Sequence, residues 1–263
     1  MDKKEIMDNY KRPAFRRIGS KYRALEHIIP VINSYIKKDS CFVDAFCGTG
    51  VVSLNVSHTR YHIVNDADRM IVSFYRAIRD QYDELEIALK SLHPASRVEF
   101  YDSKHWIHES DPLLRLAKWY YLIACSYLGR GVSWAVNYEN QQPDLHTYLN
   151  YWPAIRYRIN TWQLECLDWR DAGQRAVLLK YDNPRTVWYF DPPYVGTEGM
   201  SWSEEDMESL LDFCGRAVGC VCLSHYPLNQ IDQEVHWDEK ITYEIHASAG
   251  LGDKIIENLW VRF

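Results

Sequence analysis

The sequence has no apolar run near the roughly 18 residues that a membrane-spanning helix needs. Its first 23 residues are charged and lack the apolar stretch of a secretory leader. No Cys-x-x-Cys pair occurs among the seven cysteines (Cys41, Cys47, Cys125, Cys166, Cys214, Cys220, Cys222), whose number is odd and which lie mostly in apolar runs. They read as reduced core thiols of a cytoplasmic protein, not as a disulfide frame or a zinc site, and no His/Cys cluster offers ligand spacing for another metal. Also missing are a Gly-x-Gly-x-x-Gly fingerprint, a Gly-Lys-Ser/Thr phosphate loop, a repeat period and a Gly/Ser linker, which argues against a dinucleotide enzyme, a P-loop protein and a tandem array. Positive charge is short too: 30 Lys and Arg stand against 36 Asp and Glu, a net of −6. That balance argues against a simple polyanion binder.

What is there is unevenly arranged. Residues 1–23 hold eight Lys or Arg against three Asp or Glu, a net of +5, leaving −11 for the rest. Six bases and no acid lie from Lys11 to Arg23. The composition, 47% hydrophobic and 25% charged over 263 residues, is that of a globular chain with one large domain or one domain bearing an insert.

Apolar runs at 41–46, 61–65, 186–190 and 219–224 predict buried parallel strands. Between them lie helical patterns at 24–35 and 70–79. Another starts at Ser203, an N-cap with Asp206 completing a capping box, and continues in an apolar face of Met207, Leu210, Leu211 and Cys214. Two further strands, 240–246 and 255–263, are joined by a loop at 247–254. The alternation predicts an α/β fold with ligands at the carboxyl ends of the strands. Residues 81–160 break the rhythm and read as a mostly helical insert, so 1–80 with 161–263 form the predicted catalytic domain. The aromatic residues from Trp106 to Trp134 read as core more than as a stacking platform.

Two segments carry chemistry. Phe42-Val43-Asp44-Ala45-Phe46-Cys47-Gly48-Thr49-Gly50 is a strand entering a glycine turn, and Val51–Asn55 is expected to open a helix whose N-terminus faces a ligand. Asp66, sixteen residues beyond Gly50, ends the next strand. It is either an acid for ribose hydroxyls or an N-cap of the following helix. The second segment, Asp191-Pro192-Pro193-Tyr194, follows the strand 186–190. Two prolines fix φ and carry no N–H, so their carbonyls are pure acceptors. A carboxylate beside such a carbonyl can hold both protons of an exocyclic amine, and Tyr194 can stack on the planar ring that bears it. The amine would attack an electrophilic methyl group, a step that needs alignment more than strong base catalysis.

With these two segments in this order, the chain resembles the Dam-like (alpha class) DNA adenine-N6 methyltransferases. The resemblance implies a Rossmann-like methyltransferase sheet with a C-terminal antiparallel strand pair and a recognition insert at 81–160. It implies S-adenosylmethionine as cofactor, contacted by Arg17, Gly19, Lys21, Asp44, Phe46, Gly48, Gly50, Asp66, Asp168, Trp169 and Asp191. Asp191, Pro192, Pro193 and Tyr194 are the implied catalytic tetrapeptide. Glu257-Asn258-Leu259-Trp260 resembles the family's closing strand. Ser20 stands where the family has a second glycine, and the insert departs from its usual recognition sequence.

The implied partners are double-stranded DNA and a companion restriction endonuclease, with the protein itself a monomer. Lys11, Arg12, Arg16, Arg23, Arg130, Arg156 and Arg158 are the expected DNA-binding residues, and Tyr127–Gly131 is a loop suited to reading or replacing a base. His225 reads as structural. Methyl transfer to an amine of RNA or protein, or an inactive nucleic-acid-binding relative, are the other readings the residues allow.

Overall fold

The computed structural model describes residues 12–135, 149–194, 202–246 and 254–263. Two compact units are present. One comprises Met1–Tyr22, Gly48–Leu54 and Asp68–Thr161, and the other Arg23–Cys47, Asn55–Ala67 and Trp162–Phe263. Among the described residues no helix is long and apolar enough to cross a membrane.

The second unit holds a seven-stranded sheet: β1 (Cys41–Asp44), β2 (Tyr61–Asn65), β3 (Trp162–Glu165), β4 (Thr186–Phe190), β5 (Cys220–His225), β6 (Glu239–His246) and β7 (Lys254–Arg262). Their order is β3-β2-β1-β4-β5-β7-β6. The first five are parallel, β7 runs antiparallel to β5, and β6 antiparallel to β7. This is the expected α/β fold with its terminal antiparallel pair. Strands β1 and β4 are buried along their whole length because both faces of the sheet are covered. Val43, Ile63, Trp188, Phe190, Val221 and Trp260 pack with Leu210 and Phe213 of the helix Glu204–Arg216 in the core of this unit. That helix starts with the expected capping box of Ser203 and Asp206. The strand order reverses at β1, which has β2 on one side and β4 on the other, all three parallel, so a ligand crevice belongs outside the carboxyl ends of these strands.

The first unit is helical in its described part. The helix Arg69–Asp80 buries Ile71, Phe74, Tyr75 and Ile78. Phe74 stacks on Tyr120 with ring centres 5.2 Å apart and meets Trp152 edge-on at 5.4 Å, and Phe15 meets Trp119 edge-on at 5.5 Å. Trp119, Tyr120 and Tyr121 are core residues, whereas Tyr127 is exposed. Tyr138 and Tyr148 lie outside the described residues, as do Lys11 and 247–253 of the expected loop.

Several local expectations change. β1 stops at Asp44; Ala45 and Phe46 bend away, and the Cys47 N–H reaches the Asn65 carbonyl at 2.8 Å. No helix follows the glycine turn. Residues 51–55 form successive turns, with a helix-like bond from the Leu54 N–H to the Gly50 carbonyl. Val51 and Val52 are β-branched, and Ser53 and Asn55 offer the backbone competing hydrogen bonds, so helix propensity there is low. Nor is Asp66 a helix cap. Asp68 fills that role, its Oδ1 accepting from the Met70 N–H at 2.9 Å. Among the cysteines, Cys166 is exposed and five others are buried.

Candidate active site

At the carboxyl edge of the sheet, Asp44 ends β1, Asp66 follows β2 and Asp191 follows β4. Parallel register aligns these ends, since Asp44 lies beside both Val64 and Tyr189. The sheet unit therefore brings together three of the predicted acids. Asn65 fixes the loops around them. Its Nδ2 donates to the carbonyls of Ala45 and Leu167, and its Oδ1 accepts from the Leu167 N–H, each at 2.9 Å. One buried amide thus ties the exits of β1, β2 and β3. Nothing local in the sequence reveals this role, because the Leu167 backbone that Asn65 binds lies 102 positions away.

Phe46 sits among aromatic rings: Trp202 at 5.4 Å, Trp169 at 6.1 Å and Phe190 at 6.3 Å. Trp169 and Trp202 are both buried, and their indole N–H groups have no hydrogen-bond partner among the described residues. Buried donors are nearly always satisfied, so two orphans beside one ring mark a place for an acceptor. Asp168 has a local partner instead. Its carboxylate accepts from the Arg170 guanidinium at 2.6 and 2.9 Å, and this hydrogen bonding holds its pKa below the usual range. A cofactor would have to share that acid with Arg170.

Asp191 and Tyr194 are half-buried and Pro192 is buried. The Tyr194 ring meets His225 at 4.4 Å and Tyr226 at 4.2 Å, and its hydroxyl donates to Glu257 Oε1 over 3.4 Å. Burial, and next the charges of Asp191 and Glu257, push the Tyr194 phenol well above its ordinary pKa. It stays a neutral ring with an O–H donor. His225 is buried at the end of β5, with Nδ1 2.9 Å from the Tyr226 carbonyl oxygen, a structural tie that also abuts the tetrapeptide.

The helical unit carries the remaining candidates. Gly19, Gly48 and Gly50 have φ of +84°, +53° and +65°, a region that favours glycine. A Cβ on Gly50 would lie 2.2 Å from the Tyr75 hydroxyl oxygen, which donates to the Thr49 carbonyl at 2.6 Å. A Cβ on Gly48 would meet nothing within 4 Å, so its backbone faces open space. Ser20 Oγ lies 3.0 Å from Thr49 Oγ1, Lys21 is buried, and Arg17 pairs with Asp68 at 3.2 Å.

The expected DNA-binding cations are spread out. Arg12 lies over the Tyr151 ring and Arg156 over the Tyr82 ring. Arg16 and Arg130 are exposed, and Arg158 is half-buried. Arg23 belongs to the sheet unit and donates to the His246 carbonyl. One association emerges: a Cβ on Gly129 would stand 2.2 Å from the Arg16 carbonyl oxygen, so Tyr127–Gly131 packs directly on the Arg16 backbone. That segment is a 3-10 turn over Tyr127–Gly129 with Leu128 at φ +56°, closed by a bridge between Ser126 and Trp134. It presents Tyr127, Arg130 and Val132 outward. A branched side chain held at positive φ is strained, and such strain often accompanies a functional loop.

Residues 18–209, nearly three quarters of the chain, match the family of D12 class N6 adenine-specific DNA methyltransferases. The chain belongs to that family. The match in this methyltransferase spans the glycine turn and the tetrapeptide and ends before Glu257. No curated protein matches it. Two solved structures resemble this D12 family member loosely. A proposed RNA methyltransferase from Pyrococcus horikoshii is 11% identical, with 99% of this chain and 95% of that chain covered at a TM-score of 0.45. A proposed rRNA methylase from Clostridium thermocellum is 13% identical, with 91% and 98% covered at a TM-score of 0.38. Likeness this distant has no bearing on the substrate.

Proposed function

We propose that this methyltransferase acts on double-stranded DNA, transferring a methyl group from S-adenosylmethionine to the N6 amine of an adenine turned out of the helix. The observation that carries this reading is the Asp191-Pro192-Pro193-Tyr194 segment directly beyond the central strand β4. The donor, when bound, supplies an electrophilic methyl group on a sulfonium. Its fit to these residues rests on the two unsatisfied indole donors of Trp169 and Trp202 beside Phe46, which suit the acceptor nitrogens of a nucleobase. It rests also on the acids at the strand ends, with Asp66 suited to ribose hydroxyls and Asp44 to a cationic group. Arg17, Gly19, Lys21, Gly48, Gly50 and Asp168 are the further contacts we assign to it.

The chain's own part in the reaction is positioning. The Asp191 carboxylate and the Pro192 carbonyl accept the two N6 protons, directing the nitrogen lone pair at the methyl group, while Tyr194 stacks on the ring. After transfer N6 carries one proton too many, and Asp191 is placed in sequence to take it. A stacked duplex hides N6, so the base must leave the helix at a cost of a few kcal/mol. Arg12, Arg16, Arg23, Arg130, Arg156 and Arg158, together with Lys11, would hold phosphates, and Tyr127–Gly131 is the loop we assign to reading or replacing a base.

Tritium transfer from labelled S-adenosylmethionine to DNA, RNA and protein pools tests the reading. Label in DNA at N6-methyladenine supports it, and label confined to RNA or protein refutes it.

A further inference from the structure

Glu257 has no part in the chemistry above, yet it lies against it. The side chain is 4% exposed on β7, an interior strand, where register pairs it with Tyr243 and sets the adjacent Asn258 beside His225. A buried carboxylate is costly unless hydrogen-bonded. Here two phenols converge on it: Tyr194 donates to Oε1 over 3.4 Å and Tyr243 to Oε2 over 3.2 Å. Tyr243 is itself held, its ring stacked on His27 at 4.7 Å and its hydroxyl 3.4 Å from Ser224 Oγ.

The geometry points to Glu257 as a positioning residue for Tyr194, setting the plane of the ring on which the substrate base stacks. This inference rests on the function proposed above, in which Tyr194 meets the base. Its physical reason is that the two prolines fix φ only at their own positions, so they leave the Tyr194 side-chain rotamer undetermined. His225 and Tyr226 bound the ring laterally, and the carboxylate fixes its far end. The contact links a loop to an interior strand 63 positions away, so the ring is referenced to the sheet and not to the loop.

The test is a double-mutant cycle in the full chain with Tyr194→Phe and Glu257→Ala, and with Glu257→Gln as the conservative variant. Each of the first two should lower kcat/KM for DNA about tenfold, and the double variant should lie within about twofold of either. Losses that multiply to about a hundredfold overturn the inference. Glu257→Gln keeps an acceptor for Tyr194 and should restore most of the activity. The readout independent of activity is the fluorine resonance of 3-fluorotyrosine at position 194. It should move in Glu257→Gln, where the charge is lost, and move further in Glu257→Ala. A resonance unmoved by both overturns the inference even if DNA is methylated. If DNA is not methylated, the proposed function fails, and the resonance still decides whether Glu257 holds Tyr194.

Discussion

The sheet unit and the helical unit place their candidate residues by opposite means. In the sheet unit the acids stand at the ends of buried parallel strands, so register sets their mutual positions. In the helical unit the expected cations are mostly exposed, and Arg156 and Arg12 lie over the rings of Tyr82 and Tyr151. Reaction geometry tolerates displacements of well under an ångström or so, whereas phosphate contacts are long-ranged and individually replaceable. The rigid unit suits the first demand and the cation-bearing helical surface suits the second.

Four substitutions sharpen or break this contrast. Asp191→Ala should reduce methyl transfer by at least about a thousandfold with the thermal midpoint nearly unchanged, measured in single-turnover assays. Retained activity would remove the sheet edge from the chemistry. Trp188→Ala, in the middle of the buried β4 and stacked on Phe190, should cost about 3 kcal/mol in denaturant unfolding. A loss below about 1 kcal/mol would mean that the sheet is less rigid than its packing indicates. Asp66→Ala should weaken cofactor binding by about tenfold to a hundredfold in calorimetry while leaving DNA affinity alone, in line with the worth of charge-assisted hydrogen bonds. Arg130→Ala should weaken DNA binding only a few-fold and reduce the salt slope by about one, with cofactor affinity untouched. If Arg130→Ala instead abolished turnover, the division of labour between the units would fail.

The sheet unit was also the more legible in sequence. Strands β1, β2, β4 and β5 were readable because burial on both faces leaves continuous apolar runs. β3 was not recognised: it has four residues, and Gln163 and Glu165 lie on its less buried part at the sheet edge. The glycine turn was readable as a turn, but the helix expected after it failed because Val51 and Val52 resist helix while fitting the buried turns that formed. Asp66 and Asp68 could not be separated as caps by type, since both are aspartates and only the chain path selects one. The tetrapeptide was conspicuous because its chemistry is local. The carboxylate that holds Tyr194 was not, because strand pairing, not sequence proximity, brings Glu257 there.

The placement of β7 between β5 and β6 has a consequence for synthesis. On a chain emerging in order, β6 appears before the strand that must lie between it and the rest of the sheet. Until β7 follows, β6 has no native partner, and β5 presents an unpaired edge of the kind that invites association with other chains. The sheet is completed from within, and Glu257 arrives with that last insertion, so the group proposed to steady Tyr194 reaches the tetrapeptide only as the nascent sheet becomes whole.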